Sequence, residues 1–144
     1  MDIKMVVEVS DDGGIDKMIS NLKVLDGTEV EAGLFGGFAK NKAVWNEYGT
    51  SRGIPARPFL RNTLYGNEAR FAQFVTPFVE DILNGASVGV YASNLGNFMV
   101  SRIRQTIDEG NFVPLAPSTV AKKGHSRPLI DTGDMYGSID WRAN

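Results

Sequence analysis

The chain contains no cysteine, which removes disulfide bridges, thiolate nucleophiles and cysteine-ligated metals together. Histidine occurs once, as His125 in KKGHSRP between Lys123 and Arg127. A single imidazole flanked by cations has no partner for a metal site or a nucleophilic triad, and it reads as part of a surface loop. Long apolar runs are missing too. The opening MDIKMVVEVS places charges around a short apolar stretch, far from the roughly 18 apolar residues of a membrane span, so neither a membrane nor an exported protein is expected. Synthesis in a cytoplasm is. An excess of one charge is also absent: the formal net charge is −2, which excludes a molecule built to hold nucleic acid by bulk attraction.

What is present is the composition of one globular domain spanning residues 1–144, with 42% hydrophobic and 22% charged residues and no repeat or low-complexity segment. The charges are unevenly placed. Residues 1–35 hold three Lys against eight acids, net −5, and residues 40–70 hold six cations against two acids, net +4. Such a split is met by two solvated faces, or by a subunit whose acidic face meets the basic face of a neighbour and so steers assembly.

Periodicity predicts mixed α and β structure. In IKMVVEV, residues 3–9, the apolar Ile3, Met5, Val7 and Val9 alternate with Lys4 and Glu8 as in a half-buried strand. Asp11-Asp12-Gly13-Gly14 breaks it, and Ile15, Met18, Ile19, Leu22 and Leu25 line one face of a helix that Gly27 ends. TEVEAGLF alternates again, which completes a strand-helix-strand unit. A long helix is expected over residues 60–83, with Phe71, Phe74, Val75, Phe78, Val79 and Ile82 as core and a kink or break just before Pro77. A second is expected to start with Ser93 or Asn94 as N-cap, bury Leu95, Met99, Ile103 and Ile107, and end at Gly110. Residues 111–123 read as a Pro-interrupted loop and SIDWRA as a closing strand.

Catalytic signatures are weak. GLFGGFAKNK lacks the Gly-Lys-Ser/Thr of a phosphate-cradling loop, so its glycines are expected to serve a turn. The acid pairs Asp11-Asp12 and Asp108-Glu109 lie at a turn and a helix end. Asp131-Thr132-Gly133 in PLIDTGDMYGSI is how an aspartic protease presents its carboxylate. That chemistry needs two such carboxylates and further strands to build a cleft, and only 11 residues follow Gly133. The triplet is expected to be a turn, with Asp131 as N-cap or turn acceptor and Gly133 supplying a positive φ. No enzyme activity and no cofactor are expected.

Two blocks carry a family resemblance. VPLAPSTVAKKGHSRPLIDTGDMYGSI, through Pro114-Leu115, Thr119, Lys122-Lys123, Leu129, Thr132-Gly133 and Ser138-Ile139, resembles the closing signature of the Mu-like virion morphogenesis family of phage tail proteins. AVWNEYGTSRGIPARPFLRNTL is similar to a motif of the neck and tail completion proteins of long-tailed phages, through Glu47, Tyr48, Gly49, Thr50, Pro55, Arg57, Pro58 and Phe59. The chain departs from the pattern at Phe112, where a Trp beside a Gly is the rule, and at Gly66 and Pro77 inside the long helix.

The resemblance implies an α+β domain, a small mostly antiparallel sheet packed against two long helices. It also implies a homo-oligomeric ring, expected to be a hexamer, that completes the tail in the virion neck. The implied partners are the tail-tube protein and head-side neck or connector proteins, with weak contact to DNA in the lumen and none to membrane. A head-side adaptor of the same neck is the nearer alternative. A DNA-binding module using Lys40, Lys42, Arg52, Arg57, Arg61 and Arg70 is the farther one. Within the motif, Gly49 ends a helix and the residues before Pro55 and Pro58 favour extended backbone, so the arm holds Arg57 and Phe59 at a set angle. Glu47, Tyr48, Arg57, Pro58 and Phe59 are the suspected assembly interface, Arg and aromatics being enriched at such surfaces. The competing reading has Phe59 in its own core and Arg57 paired with Glu47. An exposed Arg57 pair would be worth at most about 1 kcal/mol.

Overall fold

The computed structural model describes residues 14–130 and 133–144. The expected strand at residues 3–9, most of the turn that follows it, and Asp131 and Thr132 lie outside the described residues. The element order is α1 (Gly14–Asp26), β1 (Val30–Gly33), α2 (Gly37–Tyr48), α3 (Phe59–Leu83), α4 (Val88–Glu109), α5 (Pro117–Lys123), α6 (Asp134–Gly137) and β2 (Asp140–Ala143). The chain is therefore mixed helix and sheet. Two strands are present among the described residues, and they pair antiparallel with Val30 opposite Ala143 and Gly33 opposite Asp140, so the second described element closes on the last.

The expected arrangement of a sheet backed by two long helices is met only in part. Helices α3 and α4, of 25 and 22 residues, are long, but α4 alone carries the sheet, and α3 packs on α4. The reason lies in α4's inward row, Ala92, Gly96, Val100, Ile103 and Ile107, all buried at spacings of three and four. At Gly96 the row is low enough for the Trp141 indole of β2 to lie on the helix backbone; any Cβ there would collide with the ring. Trp141 Nε1 donates to Asn97 Oδ1 at 3.0 Å, which fixes the indole. Around this contact lies a core of Ala43, Phe59, Val100, Ile103, Ile107, Leu129, Met135 and Ile139.

Several expectations shift by a turn or more. Helix α4 begins at Val88, after Ser87, and not at Ser93 or Asn94; its end at Gly110 in the left-handed region is as expected. Ile103 and Ile107 are buried, while Leu95 and Met99 are half-buried because the inward row runs through the small residues 92 and 96. Helix α3 continues through Pro77 without a break. Pro77 and Gln73, whose carbonyl loses its helical donor, are both exposed, and the Thr76 hydroxyl donates to Ala72 O at 2.7 Å.

The Phe71, Phe74 and Phe78 stripe is a half-buried aromatic seam on α4: Phe74 stacks on Phe98 at 4.2 Å, and Phe78 meets Tyr91 at 4.5 Å. Residues 117–123, expected as loop, form α5 with Pro117 at its first turn, where the missing N–H costs nothing. Helix α1 matches its expected bounds, yet Met18, Ile19 and Leu22 are exposed.

The closing motif is structural. Leu129, Met135 and Ile139 enter the core, and Gly133 has φ +87° at the start of α6. The Asp108 carboxylate ties this segment to the end of α4, accepting from Arg127 Nη2 and from the Tyr136 hydroxyl, each at 2.9 Å. Burial first, and that bond second, raise the Tyr136 pKa. His125 lies half-buried in the connecting loop, its Nδ1 accepting from the Arg127 amide at 3.2 Å. No described helix is long and apolar enough to cross a membrane.

Two glycine substitutions test the packing. Gly96→Ala adds helix propensity worth at most about 1 kcal/mol but overpacks against Trp141 at a cost of roughly 1–3 kcal/mol, so a net fall in the urea midpoint is expected. Gly66→Ala, exposed on α3 with nothing within 4 Å of the added Cβ, should raise it by the propensity gain.

Candidate functional site: the corner between α2 and α3

The chain leaves α2 at Tyr48 through Gly49, whose φ is +73°. A Cβ there would meet Ile54 O at 2.8 Å and Ala56 N at 2.9 Å, so the tight return requires glycine. Thr50 closes the loop, its amide donating to Ile54 O at 2.9 Å while its hydroxyl accepts from the Ile54 amide at 3.3 Å. Pro55 and Pro58 then hold the backbone extended, and the Arg57 amide donates to Asn46 O at 2.5 Å, strapping the arm to α2.

At Pro58 helix α3 begins with a residue that has no side-chain acceptor for the orphan N–H groups of the first turn. Glu47, from the last turn of α2, supplies it. Its Oε2 accepts from the Leu60 amide at 2.9 Å and its Oε1 from the Arg61 amide at 3.0 Å. The Phe59 amide donates to Arg57 O at 2.8 Å, and the Asn62 amide to Pro58 O at 2.9 Å, so all four donors are satisfied. A carboxylate at a helix N-terminus also gains from the helix dipole. Glu47 is 4% exposed, and Arg61 balances its charge, with Nε on Oε1 at 3.0 Å and Nη2 on Glu47 O at 2.6 Å. The Arg61 guanidinium also lies 5.0 Å from the Tyr48 ring centre.

Arg57 is buried as well, at 5%, and burial lowers its pKa from the ordinary value. Its Nε donates to Val113 O at 2.8 Å and its Nη2 to Pro114 O at 3.1 Å. Phe59 is fully buried in the core.

Of the five suspected interface residues, Glu47, Arg57 and Phe59 are thus consumed within the subunit. Pro58 is half-buried, and Tyr48, 67% exposed, presents its ring outward. Arg57 does not pair with Glu47, as the competing reading had it, but with two carbonyls of the loop after α4; Arg61 takes the place beside Glu47. The turn residue Gly133 lies near this corner, in a shallow depression that Arg57, Trp45 and Phe38 also line. The six cations of the DNA-binding alternative do not share one surface: Arg57 is buried, Arg61 is engaged by Glu47, and Arg70 lines a separate polar cleft between α3 and α4. Among the described residues no three His, Asp or Glu side chains converge as metal ligands.

Sequence reasoning missed the outward face of α2. This helix buries only Ala43 and Glu47, and it exposes Phe38 (62%), Val44 (47%), Trp45 (40%) and Tyr48. Residues 38, 45 and 48 recur at helical spacing opposite 43 and 47, a signal present in the sequence. Phe38 meets Trp45 edge-on at 5.8 Å, with Lys42 Nζ 5.0 Å from the Phe38 ring. Behind this face, β1, α2 and α3 enclose an open apolar groove of about 690 Å³, walled by Leu34, Phe35, Val44, Leu60, Leu64 and Phe71.

Stability should follow these bonds. Glu47→Ala strips the charged acceptor from two part-buried amides and is expected to cost about 1.5–3 kcal/mol, with Glu47→Gln losing less. Arg57→Ala should cost a similar amount, above the roughly 1 kcal/mol of an exposed pair, and Phe59→Ala about 3–5 kcal/mol. Urea denaturation of the three variants checks the order.

Comparison with protein-family models, with curated proteins and with solved structures finds no match for this chain.

Proposed function

We propose that the chain is a non-enzymatic structural subunit of a tailed-phage neck, forming a closed ring, six-fold on the resemblance, that completes the tail and offers a surface to the head. The observation that carries this reading is the outward face of α2, four large apolar side chains exposed on a 12-residue helix. Contiguous exposed apolar surface of this kind marks an association site, and aromatic anchors are the residue type that dominates such sites.

The motif of the resemblance falls on the corner that positions that face. Glu47, Arg57 and Phe59 set the angle between α2 and α3, and Tyr48 and Trp45 stand on the rigid product. A surface held this way loses little entropy on association. Contact between this face and a different face of the next subunit is heterologous and closes into a ring when the rotation permits. The acidic first 35 residues and the basic residues 40–70 provide steering between unlike faces.

The test is assembly. Purified protein is expected to be monomeric when dilute and to close into rings when concentrated or on tail tubes. Trp45→Glu and Tyr48→Glu should each lower ring yield by an order of magnitude or more with a melting temperature close to the parent's, as read by sedimentation and electron microscopy. Full-yield rings from both variants overturn the role of this face. Rings of twelve favour the head-side adaptor, and an obligate two-fold dimer at every concentration overturns the ring.

A further inference from the structure

The polar cleft between α3 and α4 holds about 330 Å³ and shares no lining residue with the groove behind α2. Asn62, Gly66 and Arg70 line it from α3 at four-residue spacing, one face of that helix, and Arg102 and Glu109 line it from α4. Side-chain bonds between the helices close its floor. The Thr63 hydroxyl donates to Thr106 Oγ1 at 2.7 Å, and Arg102 Nε donates to Asn67 Oδ1 at 2.9 Å. These two bonds run in opposite order along the two helices, so Arg70 and Arg102 stand at one end of the cleft, and Asn62 and Glu109 at the other.

Three features of this cleft have no use inside the subunit. Arg102 is a half-buried cation whose guanidinium is fixed in place. Asn67, 8% exposed, accepts from its Nε and is itself held by Nδ2 donating to Thr63 O at 2.8 Å, while the Phe98 ring centre lies 6.0 Å from the guanidinium carbon. With Nε spent, the outer edge of Nη1 and Nη2 has no acceptor among the described residues. That edge is the two-pronged donor that matches an oxyanion. Arg70, three residues beyond Asn67 on the same face of α3, is exposed and likewise has no acceptor among them. Neither arginine is in an ion pair with a described acid. The cleft's own carboxylate, Glu109, lies seven residues along α4 from Arg102, about 10 Å away, and accepts from Gln105 Nε2 at 3.1 Å. The third feature is Gly66. Glycine inside a helix is destabilising relative to alanine, and a Cβ at 66 would meet nothing within 4 Å, so no neighbour in the subunit requires it. Its missing side chain keeps the middle of the cleft open.

We infer that the cleft binds a phosphate dianion, as inorganic phosphate or as the monoester group of a small molecule, between Arg70 and Arg102. This goes beyond the ring reading and does not rest on it. Two cations without a counter-ion match the charge of a phosphate monoester, about −1.5 to −2 near pH 7. Two guanidiniums also offer more N–H donors than the two oxygens of a carboxylate can take up. Toward the Glu109 end, the carboxamides of Asn62 and Asn111 line the space left for the organic part of an ester.

The test is a titration of full-length protein with sodium phosphate replacing sodium chloride at constant ionic strength, read by calorimetry and by melting temperature. Saturable binding of one phosphate per chain is expected, with sulfate competing and acetate not. Arg70→Gln should keep the parent's melting temperature in the absence of phosphate, since the residue is exposed and without a partner, and weaken binding at least about tenfold. Arg102→Lys keeps the charge and removes the fork, and should weaken binding by a similar factor. Arg52→Gln, exposed and outside the cleft, should leave affinity unchanged. Gly66→Leu fills the cleft while gaining helix propensity, so binding should be lost with a melting temperature at or above the parent's. That combination separates a binding role from a structural one. Absence of any response beyond that to chloride, equal weakening by Arg52→Gln, or unchanged affinity in Arg70→Gln or Gly66→Leu overturns the site. Competition by acetate as strong as by sulfate overturns the dianion, and so does a short DNA duplex that binds through Arg70 and Arg102 and is not displaced by saturating phosphate, which would assign the two arginines to a nucleic-acid backbone.

Discussion

The Glu47 carboxylate, buried at the end of one helix and capping the start of another, is the interaction on which the rest of this structure depends. Proline at the head of α3 supplies rigidity but no acceptor, and the helix start is anchored in the core through Phe59. Without an acceptor from outside the helix, two part-buried amides would lose their partner, at a cost of up to that of a lost hydrogen bond each. Glu47 meets both and draws Arg61 against it. Because the cap comes from α2, the same bonds that stabilise α3 also lock the angle between the helices. Arg57 extends the lock to the loop after α4.

This arrangement explains why a motif can be rich in Arg and aromatic residues without presenting them to a partner. Its charged and aromatic members divide into those that build the corner and those the corner displays. Glu47, Arg57 and Phe59 belong to the first group, Tyr48 to the second, with Trp45, Val44 and Phe38 beside it on α2. A subunit of the ring proposed above needs both. Its interface has to be apolar enough to associate and stiff enough that the rotation between neighbours is the same at every contact, since a few degrees of slack per subunit opens a ring into a helix. The groove along β1 lies next to this displayed face, Val44 and Tyr48 lining both.

Much of this was legible in the residues. Gly49 and Gly110 mark helix ends because each takes a positive φ there, whereas the helix starting at Pro117 was read as loop. The alternation in TEVEAGLF and SIDWRA identified two strands but not that they pair, because a register between residues 30 and 143 is a property of the folded chain. The start of α4 was placed nearly two turns late, since Ala92 and Gly96 carry no hydrophobic signal: they are buried in the row that admits Trp141. The role of Arg57 was misread for a related reason. Its partners are the carbonyls of Val113 and Pro114, and backbone acceptors are the same at every position of a sequence.

By itself, then, the sequence determined the local matters: where several helices end, which stretches alternate, and that thiol chemistry has no residue to carry it. These depend on φ preferences and periodicity, which act over a few residues. Tertiary structure alone decided which charges are spent and which surfaces are left. Glu47 and Glu31 are both acids near a helix or strand end, and only the packing of α2 against α3 buries one and leaves the other at the surface, because desolvation and hydrogen bonding are set by neighbours that are distant in the chain.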